Sequence, residues 1–181
     1  MTDKGTLRAT LRARRDAAPP ATLPVPAAFL ARLVKGSVIA SYLPIGSEAD
    51  PSPFVAAALR LNCTIALPHV VDRATPMRFL ALMGEFALVT GPFGLRQPPA
   101  DAPEIDPVII LTPLIGFDRM GHRIGQGAGH YDRAFPLHPN AWRVGIARAV
   151  QEVDHIAADA WDIPLHAIAT EQEWITPTWT T

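Results

Sequence analysis

The chain alternates between amphipathic stretches, whose apolar residues recur at helical spacing, and short runs that are apolar throughout. Residues 4–17 contain no proline, and Leu7 and Leu11 are spaced to face a core from one side of a helix. The run 108–111 is continuously apolar, which is typical of a strand covered on both faces. The whole pattern predicts helices at 4–17, 27–34, 53–61 and 128–135, and strands at 37–43, 63–67, 77–83, 105–112, 143–147 and 165–169.

This alternation of helices and strands favours an α/β fold whose sheet is mostly parallel. In such sheets, ligands bind beyond the carboxyl ends of the strands. At 181 residues the chain is long enough to bury a sizeable core, and we expect residues 1–181 to form one domain. The 19 prolines are scattered between the apolar runs, so we interpret them as loop residues of a compact fold.

The composition excludes several classes of protein. Apolar residues make up 49% of the chain and charged residues 18%, which is a globular composition and not a disordered one. The 16 basic and 17 acidic residues give a formal charge of −1, so nothing indicates a nucleic acid or an anionic membrane as partner. No apolar stretch approaches the ~20 residues of a membrane span, and the N-terminus is too charged for a signal peptide. We expect a cytoplasmic monomer that binds a small molecule, with its single cysteine, Cys63, buried as a small hydrophobe.

The run 116–133 carries the strongest chemical signal. Glycines stand at alternate positions from 125 to 129, with Arg123 before them and Asp132 and Arg133 after them. Backbone N–H groups in such a loop can converge on an anion, and an aspartate beside bound phosphates suits Mg²⁺. The run is neither a Walker A loop nor a dinucleotide fingerprint, because no Gly-Lys-Ser/Thr follows and His130 replaces the last glycine. The pattern indicates a polyphosphate site, with an ordinary glycine turn as the alternative.

The same run resembles the signature of the 5-formyltetrahydrofolate cyclo-ligases, also called 5,10-methenyltetrahydrofolate synthetases. The positions in register are Phe117, Asp118, Gly121, Arg123, Gly125, Gly127, Gly129, Tyr131, Asp132 and Arg133. His130 and Leu114 depart from it, since the family has tyrosine and glycine there. The resemblance implies a three-layer α/β/α sandwich with a mostly parallel sheet, similar to sugar-phosphate isomerases and CoA transferases. It also implies ATP- and Mg²⁺-dependent closure of 5-formyltetrahydrofolate to 5,10-methenyltetrahydrofolate.

The resemblance assigns the nucleotide to helix 4–17 and to the glycine loop. It implies that Lys4 and Arg8 reach the phosphates, and it leaves Arg12 and Arg15 as surface charge. Without it, these four residues would be interpreted as the solvated face of a helix. The implied ATP-binding residues are Lys4, Arg8, Arg123, Ile124, Gly125, Gln126, Gly127, Ala128, Gly129, His130 and Tyr131. The catalytic residues among them are Lys4, Arg8, Arg123 and Tyr131.

The folate contacts implied by the resemblance are spread over the chain. The resemblance implies that Glu48 contacts the folate, because a carboxylate suits the amide-like and amino donors of a pterin ring. A solvated turn residue is the alternative for Glu48. The implied substrate-binding residues are Leu43, Glu48, Met77, Phe93, His130 and Tyr131. For Met77 and Phe93, core packing is the alternative.

The resemblance also implies that Asp132 and Asp162 hold Mg²⁺. A helix cap or a loop salt bridge is the alternative for Asp162. Thr170 and Glu171 resemble the end of the family's last core strand, where they either cap the chain or support the site.

Two rival functions come from other classes. One is an ATP- or folate-binding module of the same fold with altered catalysis, which the departure at His130 suggests. The other is a sugar-phosphate isomerase or CoA transferase on a related sheet. That activity needs a general base or a glutamate nucleophile beside the anion loop, and the sequence offers no convincing one.

Overall fold

The computed structural model describes residues 4–84 and 88–178. The helices are α1 (Lys4–Ala17), α2 (Ala27–Leu30), α3 (Ser52–Arg60) and α4 (His130–Ala134). The strands are β1 (Val38–Ala40), β2 (Thr64–His69), β3 (Arg78–Ala81), β4 (Val89–Thr90), β5 (Arg96–Gln97), β6 (Ile109–Pro113), β7 (Gly116–Phe117), β8 (Arg123–Ile124), β9 (Trp142–Ile146), β10 (Ala167–Ala169) and β11 (Trp174–Ile175). Within the described ranges, none of the helices combines the length and the apolar character needed to cross a bilayer.

A seven-stranded sheet forms the centre of the molecule, in the order β11-β10-β9-β6-β1-β2-β3. The inner strands β10, β9, β6, β1 and β2 run parallel, and the edge strands β11 and β3 are antiparallel to their neighbours. Two short antiparallel ribbons, β4–β5 and β7–β8, lie outside this sheet. The prediction of a mixed α/β fold with a mainly parallel sheet is confirmed. Its likeness to sugar-phosphate isomerases and CoA transferases stays a prediction.

Both faces of the sheet are covered, which explains why its inner strands are mostly apolar. Ile39 and Ile109 turn to the face that packs on Phe29 of α2 and Phe54 of α3. Their neighbours along the strands, such as Ile110, turn to the opposite face, where α4 and Phe135 contribute to the core. Because the side-chain period of a strand is two, each inner strand supplies both layers at once.

Helix α1 has the predicted bounds and packs outside the main sheet. Leu11 is fully buried against Ile115, Ile124 and Ile156, so the helix rests on the β7–β8 ribbon and on the segment after residue 150. The prediction that Arg15 is surface charge is wrong. Arg15 is only 5% exposed, and its Nε donates a hydrogen bond to Ser47 Oγ at 2.8 Å. Its burial follows from a second contact of α1, with the loop that follows β1, which amphipathic spacing alone cannot predict.

Several predicted bounds are wrong, and for one strand the reason is long-range pairing. Strand 105–112 begins only at Ile109, because Glu104 forms an isolated bridge with Leu80 and Ile105 N donates to Phe79 O, so the chain first follows β3. Helix 27–34 ends at Leu30, and helix 128–135 begins at His130, after the last glycine of the loop. The two-residue strands were not predicted, because so short a segment has no periodicity.

One prediction concerns the dependence of stability on pH. His166, just before β10, accepts a hydrogen bond at Nδ1 from Arg143 N at 2.9 Å. Burial, together with the charges of Arg143 and Arg32, lowers the pKa of His166 from 6.5 to about 4. Between pH 6.5 and about 4, His166 is protonated in the unfolded chain but neutral in the folded protein. The free energy of unfolding therefore decreases as the pH drops from about 6.5 towards 4.

We therefore expect the urea concentration at the unfolding midpoint of the native protein to decrease when the pH is lowered from 7 to 5. We expect the midpoint of His166→Gln to depend less on pH. Glutamine retains an acceptor for Arg143 N but does not titrate. Equal slopes for the two proteins would show that another group carries the pH dependence.

Candidate active site

The glycine loop is placed by a buried aspartate at the tip of the β7–β8 ribbon. Asp118 has no exposed surface. Its Oδ1 accepts hydrogen bonds from Met120 N and His122 N, each at 3.0 Å. Its Oδ2 accepts from Ile156 N at 3.0 Å and lies 3.0 Å from His122 Nδ1. Asp118 thus connects the ribbon to Ile156, and this connection fixes the orientation of β8 and of the glycine loop that follows it. Asp118 belongs to the motif, but the sequence pattern alone assigned it no role.

Two of the glycines have a backbone conformation that other residues rarely adopt. Gly127 has φ of 100° and Gly129 has φ of 64°. A Cβ built on Gly125 would have no atom within 4 Å, so the loop is open to an incoming ligand at that point. Arg133 of α4 fixes the end of the loop, because its Nη2 donates a hydrogen bond to Ala128 O at 2.9 Å.

The basic face of α1 lies directly on this loop. Arg8 Nε donates to Gly125 O at 3.0 Å, and Arg12 Nη2 donates to Gln126 Oε1 at 2.8 Å. Lys4 Nζ lies 2.5 Å from Asp159 Oδ2 and 3.3 Å from Asp162 Oδ2. The hydrogen bond to Asp159 is the main cause of a raised pKa of Lys4, which keeps the ammonium charged.

Arg123 is the buried cation of the site. Its side chain is 6% exposed, Nη2 lies 2.5 Å from Asp132 Oδ1, and Nη1 donates to Ile163 O at 2.7 Å. The guanidinium carbon lies 4.6 Å from the centroid of the Phe135 ring. Burial lowers the pKa of Arg123 and Asp132 opposes that effect, and an arginine keeps its charge under such conditions.

Each of the two predicted metal ligands forms an ion pair with a cation of the site. Asp132 and Asp162 are 29% and 21% exposed, and they pair with Arg123 and Lys4 respectively. Across residues 4–84 and 88–178, no group of three or more His, Cys, Asp or Glu side chains could hold a metal ion. Mg²⁺ in phosphate sites commonly takes only one or two carboxylates and completes its shell with phosphate oxygens and water. The donor set therefore fits Mg²⁺ together with a bound phosphate chain and not by itself.

A cavity of about 650 Å³ opens beside the glycine loop. The predicted folate contacts Leu43, Glu48, Met77, His130 and Tyr131 all line it. Met77 is 2% exposed and also belongs to the apolar core, so both of its predicted roles are compatible with its place. The side chain of Phe93 lies outside the described part of the structure. The cavity is also lined by residues that the sequence did not predict, among them Tyr42, Arg96 and Gln97.

Two residues at the start of α4, His130 and Tyr131, line the cavity and are largely neutral. Burial raises the pKa of the Tyr131 phenol and the Glu48 carboxylate raises it further, so the phenol stays protonated and can donate a hydrogen bond. Burial and Arg133 lower the pKa of His130, which favours neutral imidazole. Tyr131 also contacts Phe135, with ring centroids 5.9 Å apart.

Some predicted residues have contacts that point elsewhere. The side chain of Ile124 is buried against Leu11, so only its backbone is left for a ligand. Glu171 Oε2 accepts from Ala149 N at 3.0 Å, and Thr170 Oγ1 accepts from Glu173 N at 3.0 Å. Thr170 and Glu171 were predicted either to cap the chain or to support the site. These contacts are capping contacts.

The sequence reasoning also passed over Asp159 as a partner of Lys4. Its position three residues before Asp162 was the available signal, because two carboxylates at that spacing in a loop can share one cation.

Comparison with known proteins places this chain in a family. Residues 1–171 match the family model described as the 5-formyltetrahydrofolate cyclo-ligase family. The 5-formyltetrahydrofolate cyclo-ligase of Escherichia coli K12 is 30% identical over an alignment of 152 residues, which covers 78% of this chain and 84% of that protein. The enzyme of the same name from Mycolicibacterium smegmatis is 29% identical over 152 residues, covering 78% and 77% of the two chains.

Solved structures agree with the sequence relatives. The 5,10-methenyltetrahydrofolate synthetase of Aquifex aeolicus superposes with a TM-score of 0.74 at 25% identity, over 98% of this chain and 94% of that one. The Mycoplasma pneumoniae synthetase has a TM-score of 0.66 at 22% identity, over 94% and 99%, and this likeness supports the fold alone. Because the family model covers nearly the whole chain, the protein belongs to the 5-formyltetrahydrofolate cyclo-ligase family.

Proposed function

We propose that the protein converts 5-formyltetrahydrofolate to 5,10-methenyltetrahydrofolate with ATP and Mg²⁺, releasing ADP and phosphate. The observation that carries this proposal is that three predicted ATP-binding residues also line the cavity, namely Gln126 of the glycine loop and His130 and Tyr131 at the start of α4. A triphosphate on the loop and a ring system in the cavity would therefore meet at the same three residues. Family membership and the names of the relatives support the same activity.

The chemistry explains why ATP is needed. The formyl group of the substrate is an amide, and its oxygen cannot leave as hydroxide. Transfer of the γ-phosphoryl group to this oxygen breaks the bond to ADP and leaves an iminium phosphate. The neighbouring folate nitrogen then attacks the formyl carbon and loses its proton, the carbon–oxygen bond breaks, and inorganic phosphate departs. The ring is closed without a covalent enzyme intermediate.

The protein's contribution is alignment and charge neutralisation. Lys4, Arg8 and Arg123 would neutralise the phosphate oxygens together with the backbone N–H groups of the run 125–129. This role is supported by the contacts of the three cations. Arg8 contacts the glycine loop directly, whereas Lys4 and Arg123 pair with the proposed metal ligands Asp162 and Asp132. When bound through Asp132 and Asp162, Mg²⁺ would supply further positive charge to the phosphates.

The folate would occupy the cavity beside the loop. Glu48 would accept hydrogen bonds from the pterin, and Leu43 and Met77 would pack against its ring. Tyr131, as a neutral phenol, would donate a hydrogen bond at the junction of the two substrates. His130 offers a smaller ring than the family's tyrosine, so stacking at this position is reduced.

The test is a direct assay with the purified protein, MgATP and 5-formyltetrahydrofolate, followed by the absorbance of the methenyl product. We expect the product to form, to require ATP, to disappear when EDTA removes Mg²⁺, and to return when Mg²⁺ is restored. Product formation without ATP would contradict the proposed mechanism. Nucleotide binding without any product would favour the alternative to which the departure at His130 points, a binding module with altered catalysis.

A further inference from the structure

The side chain of Gln126 connects three segments that meet at the site. Its Nε2 donates to Glu48 Oε1 at 3.0 Å, and its Oε1 accepts from Arg12 Nη2 at 2.8 Å. The second carboxylate oxygen of Glu48 accepts from Ile45 N at 3.0 Å. One amide group therefore joins the glycine loop, helix α1 and the loop that carries the predicted pterin-binding carboxylate.

The chemistry of these partners sets the orientation of the amide. A carboxylate only accepts hydrogen bonds and a guanidinium only donates them, so the amide NH₂ must face Glu48 and the amide oxygen must face Arg12. A glutamate at position 126 would keep the contact with Arg12 but would oppose one carboxylate to another. A lysine would satisfy Glu48 but would oppose Arg12. Of these three side chains only glutamine satisfies both neighbours.

Glu48 keeps the capacity to bind a ligand while it is held in this way. Each carboxylate oxygen has two lone pairs, and each oxygen has one protein donor in the structure. The carboxylate lines the cavity, so its remaining lone pairs are available to donors on a ring system bound there. A side chain already fixed in its binding conformation loses less conformational entropy when the ligand arrives.

We propose that Gln126 is a positioning residue that couples nucleotide binding on the glycine loop to folate binding by Glu48, through the hydrogen bond between their side chains. This inference rests on the proposed function. Gln126 lies between Gly125 and Gly127, so an anion that orders the backbone of the loop also orders the Gln126 side chain and, through it, Glu48. Coupling of this kind is reciprocal, so folate must strengthen nucleotide binding by the same factor.

The experiment is a binding measurement by titration calorimetry, with the intact protein and without turnover. The dissociation constant of 5-formyltetrahydrofolate is measured with and without Mg²⁺ and the β,γ-imido analogue of ATP. For the native protein we expect the analogue to tighten folate binding by about tenfold. For Gln126→Ala we expect this ratio to fall to within about twofold of unity. The affinity of the variant for the analogue alone is measured in the same series, so that weaker nucleotide binding is distinguished from loss of the coupling ratio.

Two further variants separate positioning from general damage to the fold. Gln126→Glu keeps the partner of Arg12, so it should leave helix α1 in place and still lose the coupling. Arg14→Ala removes an exposed arginine of the same helix and should retain the native ratio. In a Glu48→Gln background, Gln126→Ala should change folate affinity by less than about twofold, because the two side chains act through one contact.

The outcomes distinguish this inference from the proposed function. If the native protein forms the methenyl product but Gln126→Ala retains the native ratio of dissociation constants, the coupling role of Gln126 is refuted and the proposed function stands. If the native protein forms no product, the proposed function fails and this inference fails with it. Loss of the ratio in Gln126→Ala and Gln126→Glu, with Arg14→Ala unchanged, supports the inference.

Discussion

Replacing Arg123 by alanine is expected to lower kcat/KM for 5-formyltetrahydrofolate by about 10²-fold or more, the loss that is typical when a donor to developing charge is removed. The side chain is nearly buried and holds both Asp132 and the carbonyl of Ile163. Alanine removes the cation from beside the anion loop and leaves Asp132 without its partner. Initial rates of methenyl formation at several ATP and folate concentrations measure the effect.

Two comparisons give this prediction its specificity. Arg119→Ala removes an exposed arginine four residues earlier, which pairs with Glu152 and Glu173, and it should leave the rate within about twofold of native because such surface pairs contribute little. Lys4→Ala should reduce the rate on the same scale as Arg123→Ala, since Lys4 pairs with Asp162, the second proposed Mg²⁺ ligand. An Arg123→Ala protein that is folded and as active as native would remove Arg123 from the proposed mechanism.

Replacing Asp118 by asparagine is expected to lower the free energy of unfolding by about 3 kcal/mol or more. The carboxylate is fully buried and accepts hydrogen bonds from the backbone N–H groups of Met120, His122 and Ile156. Asparagine has the same shape but only one acceptor oxygen, so its NH₂ must face a buried donor. Urea unfolding followed by circular dichroism measures the loss.

Asp72 provides a matched control on the surface. It accepts hydrogen bonds from Ala74 N, Thr75 N and Thr75 Oγ1 in a similar turn, but its side chain is exposed, so water can replace these partners. Asp72→Asn should therefore shift the unfolding curve far less than Asp118→Asn. Equal shifts would show that burial of the Asp118 carboxylate is not the source of its contribution.

Local sequence patterns predicted those parts of the molecule that depend on neighbouring residues. Helix α1 has the bounds that its spacing predicts, because its apolar stripe and its lack of proline are local properties. The inner strands were found as mostly apolar runs, because burial on both faces favours apolar side chains at successive positions. The glycine loop was recognised because its φ requirements and its charged neighbours lie within one short segment.

The pairing of the short edge elements could not be predicted in the same way. The β4–β5 ribbon consists of two-residue strands, and the chain near Ile105 follows β3 before it enters the sheet. Such contacts depend on residues that are distant in sequence, and a two-residue strand has no period to detect.

The sequence by itself determined the α/β class, the place of the glycine loop and, through the family resemblance, the residues to examine around it. Only the tertiary structure decided that Arg15 is buried, that Asp118 anchors the loop, and that Gln126 reaches both Arg12 and Glu48. The physical reason is the range of the interactions involved. Propensity and periodicity act within a few residues, whereas burial and side-chain hydrogen bonds are set by segments that folding brings together from distant parts of the chain.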